Sequence, residues 1–212
     1  MIHVDPKPEP DDFDAKVRIP GNNFLKHNRS PKSKDWNHHS YWSHCSNQLY
    51  IAYNGICAYT GEWFSNTSSA PSVDHFYPKS EHMELAYEWS NYRLTTQRTN
   101  SYKGNKIVLD PFVIKNGDLT IEFPSCLVKP NKRMTPAEKS KAWSTIEILH
   151  LNDEEMADNR HSIIMEYIQG NINRQFLKKR YPFIEYELER QELLDTVGER
   201  FKPLTTKSTE EK

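Results

Sequence analysis

The chain has 212 residues and a formal net charge of −1, so its length suits one domain, or one domain with a helical extension. Its near-neutral charge excludes a protein coated in positive charge, so any nucleic acid would bind at a local patch. Three widely spaced cysteines make no disulfide framework and indicate a reducing compartment, so we expect a cytoplasmic protein. We expect no signal peptide and no membrane contact, because no run approaches the roughly 20 apolar residues that span a bilayer.

The first third of the chain predicts an arm followed by a helix. Residues 1–35 are rich in Pro, Asp, Asn and Lys, which predicts an extended arm that wraps a neighbour or the chain's own surface. A flexible tail is the alternative. In residues 39–53, apolar and aromatic side chains recur at helical spacing, and Gly55 follows as a stop signal.

A ββα unit is predicted in the middle of the chain. Residues 56–61 have the pattern of a strand that enters a turn, and residues 73–76 form a second short strand. Residues 91–104 would supply a loop and then a helix. Asn116-Gly117, between two apolar runs, marks a hairpin.

The last third of the chain predicts helices. Thr135 and Glu138 form a capping box with Pro136 at the first helical position, and residues 152–155 resemble a second cap. Further helices are expected in residues 173–201. The predicted divisions are an arm at 1–35, a central domain at 36–130, a helical region at 131–205 and a polar tail at 206–212. The fold class is α+β.

Residues 73–103 carry the most informative pattern. An acid–histidine pair, Asp74-His75, precedes Asn91 and Asn100, and no Asp or Glu lies between Trp89 and Leu109. This pattern suits metal-assisted cleavage of a phosphodiester. The ion would hold a phosphate oxygen, a neutral imidazole would take a proton from water, and cations would bind the backbone of the nucleic acid.

The ordered motifs resemble those of the HNH (ββα-metal) endonucleases. The similarity lies in residues 55–106 and rests on CAY at 57–59, VDHFYPK at 73–79, NYRL at 91–94 and NSYKG at 100–104. More narrowly, YEWSNYRL at 87–94 and LDPF at 109–112 resemble the HNH nuclease of Septu-type and retron-associated anti-phage systems. The expected fold is an HNH core with an N-terminal arm and a C-terminal helical region.

The residues and the resemblance together suggest a role for each site residue. His75 would activate a water molecule, and Asp74 would offer a hard oxygen ligand to one Mg²⁺ or Mn²⁺ ion. The resemblance implies that Asn100 supplies a second ligand, with Asn105 as an alternative, and that Asn91 orients His75. Lys103 would share a helix face with Asn100 and contact phosphate. Further phosphate-binding candidates are Lys79, Arg93 and Arg98.

The sequence departs from many HNH proteins at the zinc-binding cysteines. Only Cys57 is present, and Thr60, Thr96 and Thr99 stand where the resemblance places the other three. Because threonine is a poor zinc ligand, we expect no structural zinc, and packing must hold the motif instead.

Two further groups of residues leave alternatives open. A second metal site from His38, His39, His44 and Cys45 is disfavoured, since adjacent helical residues point to different faces. Aromatic residues around the motif could stack on splayed bases or pack in the core, with packing favoured. They are Tyr77, Tyr87, Trp89, Tyr92 and Tyr102.

The leading functional hypothesis is an HNH endonuclease that cuts DNA in preference to RNA. The resemblance implies a role in anti-phage defence beside an ABC/SMC-type ATPase, with a retron reverse transcriptase and its msDNA as further partners. The arm and the C-terminal helices would bind the ATPase. The alternative is a catalytically silent nucleic-acid-binding or adaptor module on an HNH scaffold, and a toxin restrained by an immunity protein ranks third.

Overall fold

The computed structural model describes residues 1–205, and the predicted polar tail at 206–212 lies outside the described residues. Helices and two small antiparallel sheets make up the fold, which confirms the α+β class. The chain forms two compact units. The first unit contains Val4–Tyr59 and Trp63–Val113. The second unit contains Met1–His3, Thr60–Glu62 and the described chain from Ile114 onward. The predicted divisions at 35 and 130 do not coincide with these units.

Residues 1–10 have neither helix nor strand, whereas most of residues 13–35 are helical, so the prediction of an extended arm over residues 1–35 was wrong for the later part of that range. A π-helical turn at Asp14–Arg18 runs into helix α1 (Ile19–His27), and helix α2 (Ser33–His38) follows. Phe13 and Val17 are buried in the core of this unit. These two apolar side chains lie four positions apart, so a helical turn brings both to one face.

The helix predicted at 39–53 begins as a 3₁₀ turn at Tyr41–Cys45 and continues as α3 (Ser46–Ala52). Leu49 is its fully buried residue. The predicted stop at Gly55 is confirmed, because Gly55 has a φ of 67°. A Cβ there would lie 2.6 Å from the ring of Tyr50, so a larger residue would clash as well as strain the backbone.

The sheet of the first unit pairs strand β1 (Pro71–His75) with strand β2 (Tyr92–Thr96), and helix α4 (Gln97–Lys103) follows β2 directly. The strand predicted at 56–61 is absent, and that segment contributes one isolated bridge between Ile56 and Trp63. Its Ala58 N–H donates to the Leu94 carbonyl at 2.8 Å, so it lies beside β2 without extending the ladder. The ββα unit therefore consists of β1, β2 and α4.

The core of the first unit is rich in aromatic rings. Phe13 packs edge-on against Trp89 and Tyr92, with ring centroids 5.6 and 6.0 Å apart. Such contacts add to the stabilisation from apolar burial alone. Three of the five aromatic residues noted near the motif, Tyr87, Trp89 and Tyr92, are buried here, which agrees with the packing alternative.

The described part of the second unit contains a hairpin and five helices. Strands β3 (Leu119–Glu122) and β4 (Leu127–Pro130) are antiparallel. Their connection is residues 123–126, so Asn116-Gly117 precedes the hairpin and was wrongly predicted as its turn. Helices follow in this order: α5 (Pro136–Ile148), α6 (Glu154–Ile168), α7 (Arg174–Arg180), α8 (Pro182–Arg190) and α9 (Val197–Thr205).

The predicted capping box at Thr135 is confirmed. The Thr135 hydroxyl accepts from the Glu138 N–H at 3.3 Å, and the Glu138 carboxylate accepts from the Thr135 N–H at 2.8 Å. The helix predicted after residues 152–155 is confirmed as α6. None of the helices in the described part of the chain has the length and apolar character needed to cross a lipid bilayer.

Candidate active site

The end of β1 and the start of α4 bring the predicted site residues together in the first unit. Asp74 lies opposite Arg93 in the sheet, and His75 lies opposite Tyr92. Thr96 ends β2 and also caps α4, because its hydroxyl accepts from the Thr99 N–H at 3.2 Å. Since no loop separates β2 from α4, the helix packs directly on β1.

A cavity of about 310 Å³ opens at this point. Its lining is mainly polar, which suits a charged or hydrated ligand better than an apolar one. Five sequence-predicted residues contribute to it: Asp74, His75, Lys79, Asn100 and its alternative Asn105. Trp42 and Ser72, which were not predicted as site residues, also line it.

The imidazole of His75 is fixed in one tautomer. Its Nε2 lies 2.9 Å from the Ala86 carbonyl oxygen, which can only accept, so Nε2 carries the proton. Nδ1 makes no hydrogen bond with the described residues. Because every solvent-inaccessible side-chain nitrogen and oxygen of those residues has a partner, Nδ1 is reached by solvent. The unprotonated nitrogen is therefore open to solvent, and His75 is one of the residues that line the cavity.

Packing holds the His75 ring and keeps it neutral. The rings of Trp42 and Tyr92 contact it edge-on, with centroids at 4.7 and 5.3 Å. Burial, with a smaller contribution from the Lys79 cation, lowers the pKa of His75 to about 3. At neutral pH the imidazole is therefore uncharged, as a proton acceptor must be.

The carboxylate of Asp74 is buried and held from two sides. Lys103 Nζ lies 3.1 Å from one oxygen, and the Tyr59 hydroxyl donates to the other. Burial raises the pKa of Asp74, while Lys103 and Tyr59 act in the opposite direction. Each carboxylate oxygen keeps a lone pair that could bind a cation.

The side chain of Asn100 is oriented by Ser72. Its Nδ2 donates to Ser72 Oγ at 2.8 Å, and its Oδ1 has no partner among the described residues. The cavity therefore offers a carboxylate and an amide oxygen, which are hard ligands that suit Mg²⁺ or Mn²⁺. These residues fit one divalent ion that keeps water in its remaining positions. Asn105, the alternative to Asn100, also lines the cavity and donates to Ser80 at 3.3 Å.

Asn91 ties down the loop between β1 and β2. Its Oδ1 accepts from the Tyr77 N–H at 2.8 Å, and its Nδ2 donates to the carbonyls of Tyr77 and Leu85 at 3.0 and 3.1 Å. Leu85 directly precedes Ala86, whose carbonyl binds His75. Asn91 does not line the cavity, so it can act on His75 only through this loop.

Two of the predicted phosphate-binding residues are buried, and their expected contact with phosphate needs correction. Lys103 has no exposed side-chain surface, and its ammonium bonds to Asp74 and to the His75 carbonyl at 3.0 Å. Arg93 forms a bidentate ion pair with Asp110 at 2.9 and 2.8 Å. A nucleic acid could reach neither cation without breaking these contacts, because both lie under the surface.

The other two predicted cations lie nearer the surface. Lys79 lines the cavity with its ammonium 5.1 Å from the centre of the Trp42 ring. Burial lowers the pKa of Lys79, partly offset by Asp74. Arg98 is exposed on α4 and donates to the Tyr102 hydroxyl at 2.9 Å. Lys79 is thus the predicted cation that the structure brings to the cavity.

Cys57 and the histidines considered for a second metal site make contacts that involve no metal ion. Cys57 is buried, with its Sγ 3.4 Å from Thr95 Oγ1. His39 stacks on Phe24, whereas His44 lies near the Lys16 carbonyl. Among the described residues, no group of three or more His, Cys, Asp or Glu side chains is placed to hold a metal ion. The candidate centre at Asp74 is of a different kind, since it includes an amide.

Four parts of the site were not predicted from the sequence: Tyr59, Trp42, Ser72 and the Ala86 carbonyl. Tyr59 belongs to the CAY motif, so its place in that motif was a usable signal. Trp42 lies outside every motif. A backbone carbonyl has no signature in the sequence. No protein-family model and no curated protein matches this chain.

Proposed function

We propose that this protein is an HNH (ββα-metal) endonuclease that uses one divalent metal ion to hydrolyse phosphodiester bonds, in DNA rather than RNA. The observation that carries the proposal is the state of His75. Its Nε2 proton is held by Ala86, its Nδ1 is open to solvent, and His75 lines one cavity together with Asp74 and Asn100. A neutral, oriented base beside hard oxygen ligands suits hydrolysis of a phosphodiester.

His75 acts as the general base in this proposal. Nδ1 takes a proton from a water molecule as that water attacks phosphorus, and the Nε2 bond to Ala86 keeps the ring oriented. A bound phosphodiester places negative charge beside the ring. That charge raises the pKa of His75 from its low value in the free protein and so makes Nδ1 more basic.

Asp74 and Asn100 would hold the divalent ion. When bound, the ion supplies a Lewis acid for the scissile phosphate and its departing oxygen. Lys103 and Tyr59 keep the Asp74 carboxylate in place, and Ser72 does the same for the Asn100 amide. Such outer contacts orient ligands and influence their affinity for metal. Lys79, at the same cavity, would pair with a phosphate of the bound strand.

The proposal includes a role as the nuclease of an anti-phage complex with an ABC/SMC-type ATPase, with a retron reverse transcriptase and msDNA as further partners. The resemblance of residues 87–94 and 109–112 supports this role. Those segments meet in the fold, because Arg93 of one pairs with Asp110 of the other and lies 3.5 Å from the ring of Phe112. The two sequence segments therefore pack against each other in the fold.

Cleavage of supercoiled plasmid in Mg²⁺ or Mn²⁺ tests the proposal. Wild type should cut and EDTA should stop it, whereas His75→Ala should cut about 10²- to 10⁴-fold more slowly, the usual contribution of a general base. His82→Ala is the matched control, since His82 is a partly exposed histidine that pairs with Glu84. Equal loss in both variants, or none in His75→Ala, would contradict the assignment.

A second candidate function is supported by the Asp74–Lys103 ion pair. Because this pair neutralises Asp74 within the protein, the carboxylate is satisfied without a metal ion. That arrangement suits a catalytically silent nucleic-acid-binding or adaptor module. Absence of cutting by wild type, with and without the ATPase, together with absence of Mn²⁺ binding, would favour this candidate.

A further inference from the structure

The second unit contains a groove of about 920 Å³ between the β3–β4 hairpin, α5 and α8. It lies outside the cavity of His75, and no residue of the candidate active site lines it. Five basic residues contribute to its lining: Lys129, Lys132, Arg133, Lys139 and Arg190. Glu122 is the acidic residue among the lining side chains. The groove is therefore strongly cationic in a chain whose net charge is −1.

Three of these cations are available to a ligand. Lys129 pairs with Glu122 at 2.6 Å, and Arg190 pairs with the buried Glu187 at 2.7 Å. Lys132, Arg133 and Lys139 form no ion pair with any described residue. A groove with unpaired cations attracts a polyanion, because concave walls concentrate the electrostatic field.

An indole lies on the wall of this groove. Trp143 of α5 is 43% exposed and makes no ring contact or hydrogen bond with the described residues. Exposure of the apolar indole ring to water is unfavourable, and a ligand that covers the ring would remove that exposure. Its flat face beside cations is the combination that binds an unstacked base and the adjoining phosphates.

The floor of the groove is rigidly built. Glu187 of α8 accepts from the Ile121 N–H at 3.0 Å, and Gln191 donates to the Ile121 carbonyl at 2.8 Å. Asn131, which also lines the groove, donates to the Gly117 carbonyl. Because the bonds at Ile121 join the hairpin to α8, a ligand would meet a preformed backbone framework.

We infer that this groove binds single-stranded nucleic acid, with a base stacked on Trp143 and phosphates paired with Lys132, Arg133 and Lys139. A duplex keeps its base faces covered by stacking, so it could not use the indole. An acidic peptide could use the cations but offers no base. The inference draws on the proposed function only for the choice of nucleic acid as the polyanion.

Fluorescence anisotropy with a labelled oligo-dT strand tests the inference. The full chain with His75→Ala is titrated so that cleavage does not affect the reading. Trp143→Ala should weaken binding about five- to 150-fold, and Trp143→Phe should restore part of it. Lys132→Ala with Arg133→Ala should reduce the slope of log Kd against log salt by about 1.4, because each phosphate contact on a single strand contributes about 0.7.

Matched variants from the same unit serve as controls. Phe176→Ala removes another exposed aromatic ring, and Lys141→Ala removes an exposed cation of α5 that does not line the groove. Both should bind the strand as the parent does. Far-UV circular dichroism and thermal unfolding confirm that each variant is folded, so that weaker binding reports on the groove.

Four outcomes would overturn the inference. They are unchanged affinity in the Trp143 and Lys132/Arg133 variants, equal loss in the controls, equal binding of a blunt duplex, and competition by poly-glutamate as effective as by unlabelled oligo-dT. The last would indicate an acidic protein partner. Plasmid cleavage by wild type is scored separately, so failure of the groove and failure of the nuclease proposal are distinguishable.

Discussion

At His75, one hydrogen bond to a backbone carbonyl determines which ring nitrogen can accept a proton. The Ala86 carbonyl also accepts from the Tyr92 hydroxyl at 2.9 Å, so a buried phenol helps to fix the same acceptor. With Trp42 against the ring, the imidazole has little freedom to rotate. A base held in this way loses little orientational entropy when substrate binds.

Lys103 should contribute to stability rather than to phosphate binding. Lys103→Met would leave the Asp74 carboxylate buried without its cation, and we predict a loss of about 3–5 kcal/mol in the free energy of unfolding. Urea denaturation measures this loss. Lys106→Met is the control, because Lys106 is exposed and near the same helix end.

A loss below about 1 kcal/mol, or one equal to that of Lys106→Met, would contradict this account of the ion pair. It would also restore the possibility that Lys103 swings out to meet phosphate. A large loss in Lys103→Met alone would support a structural role.

At the scale of elements, the loop between β1 and β2 depends on Asn91. We predict that Asn91→Ala lowers the free energy of unfolding by about 1–3 kcal/mol, because it leaves partly buried backbone groups of Tyr77 and Leu85 without partners. Hydrogen exchange at the Tyr77 amide should accelerate with it. Both are measured against Asn47→Ala, an exposed asparagine on α3.

Cleavage should fall in Asn91→Ala as well, since the Ala86 carbonyl that orients His75 belongs to the same loop. Unchanged exchange at Tyr77, or stability equal to that of Asn47→Ala, would show that the loop is held by other contacts. In that case the positioning role assigned to Asn91 would be wrong.

Helix α5 has a local signal and was predictable from the sequence, whereas strand β2 depends on a distant partner and was not. The capping box at Thr135 involves four consecutive residues, so it identified α5 correctly. Strand β2 was missed because its partner β1 lies beyond the intervening loop and its Arg93 and threonines read as polar. The segment at 56–61 has strand-like composition but finds only one bridge partner, Trp63.

The same distinction applies to the site. Asp74, His75 and Asn100 were predicted, and the structure brings them to one cavity because α4 follows β2 without a loop. The burial of Arg93 and Lys103 was not predictable from the basic, acid-free stretch around them. Their acidic partners, Asp110 and Asp74, lie outside that stretch, so composition alone made both cations look unpaired.

At the scale of the whole molecule, function is expected to draw on both compact units. The net charge of the chain is −1, yet the second unit contains a cationic groove. The first unit contains the cavity of His75. The expectation that an arm at residues 1–35 binds the ATPase cannot be tested by simple truncation. Truncating them would remove Phe13 and Val17 from the core, so loss of ATPase binding by that truncation would report on folding.

The most direct test of the account measures Mn²⁺ binding and plasmid cleavage together in wild type, His75→Ala and Asn100→Ala. Electron paramagnetic resonance reports free Mn²⁺. We predict that His75→Ala binds Mn²⁺ as wild type does yet cuts about 10²- to 10⁴-fold more slowly. Asn100→Ala should lose more than about tenfold in Mn²⁺ affinity, since even outer partners of metal sites contribute that much. The account assigns the base to His75 and the metal ion to Asp74 and Asn100. Cleavage by His75→Ala at the wild-type rate, or absence of Mn²⁺ binding by wild type, would contradict it.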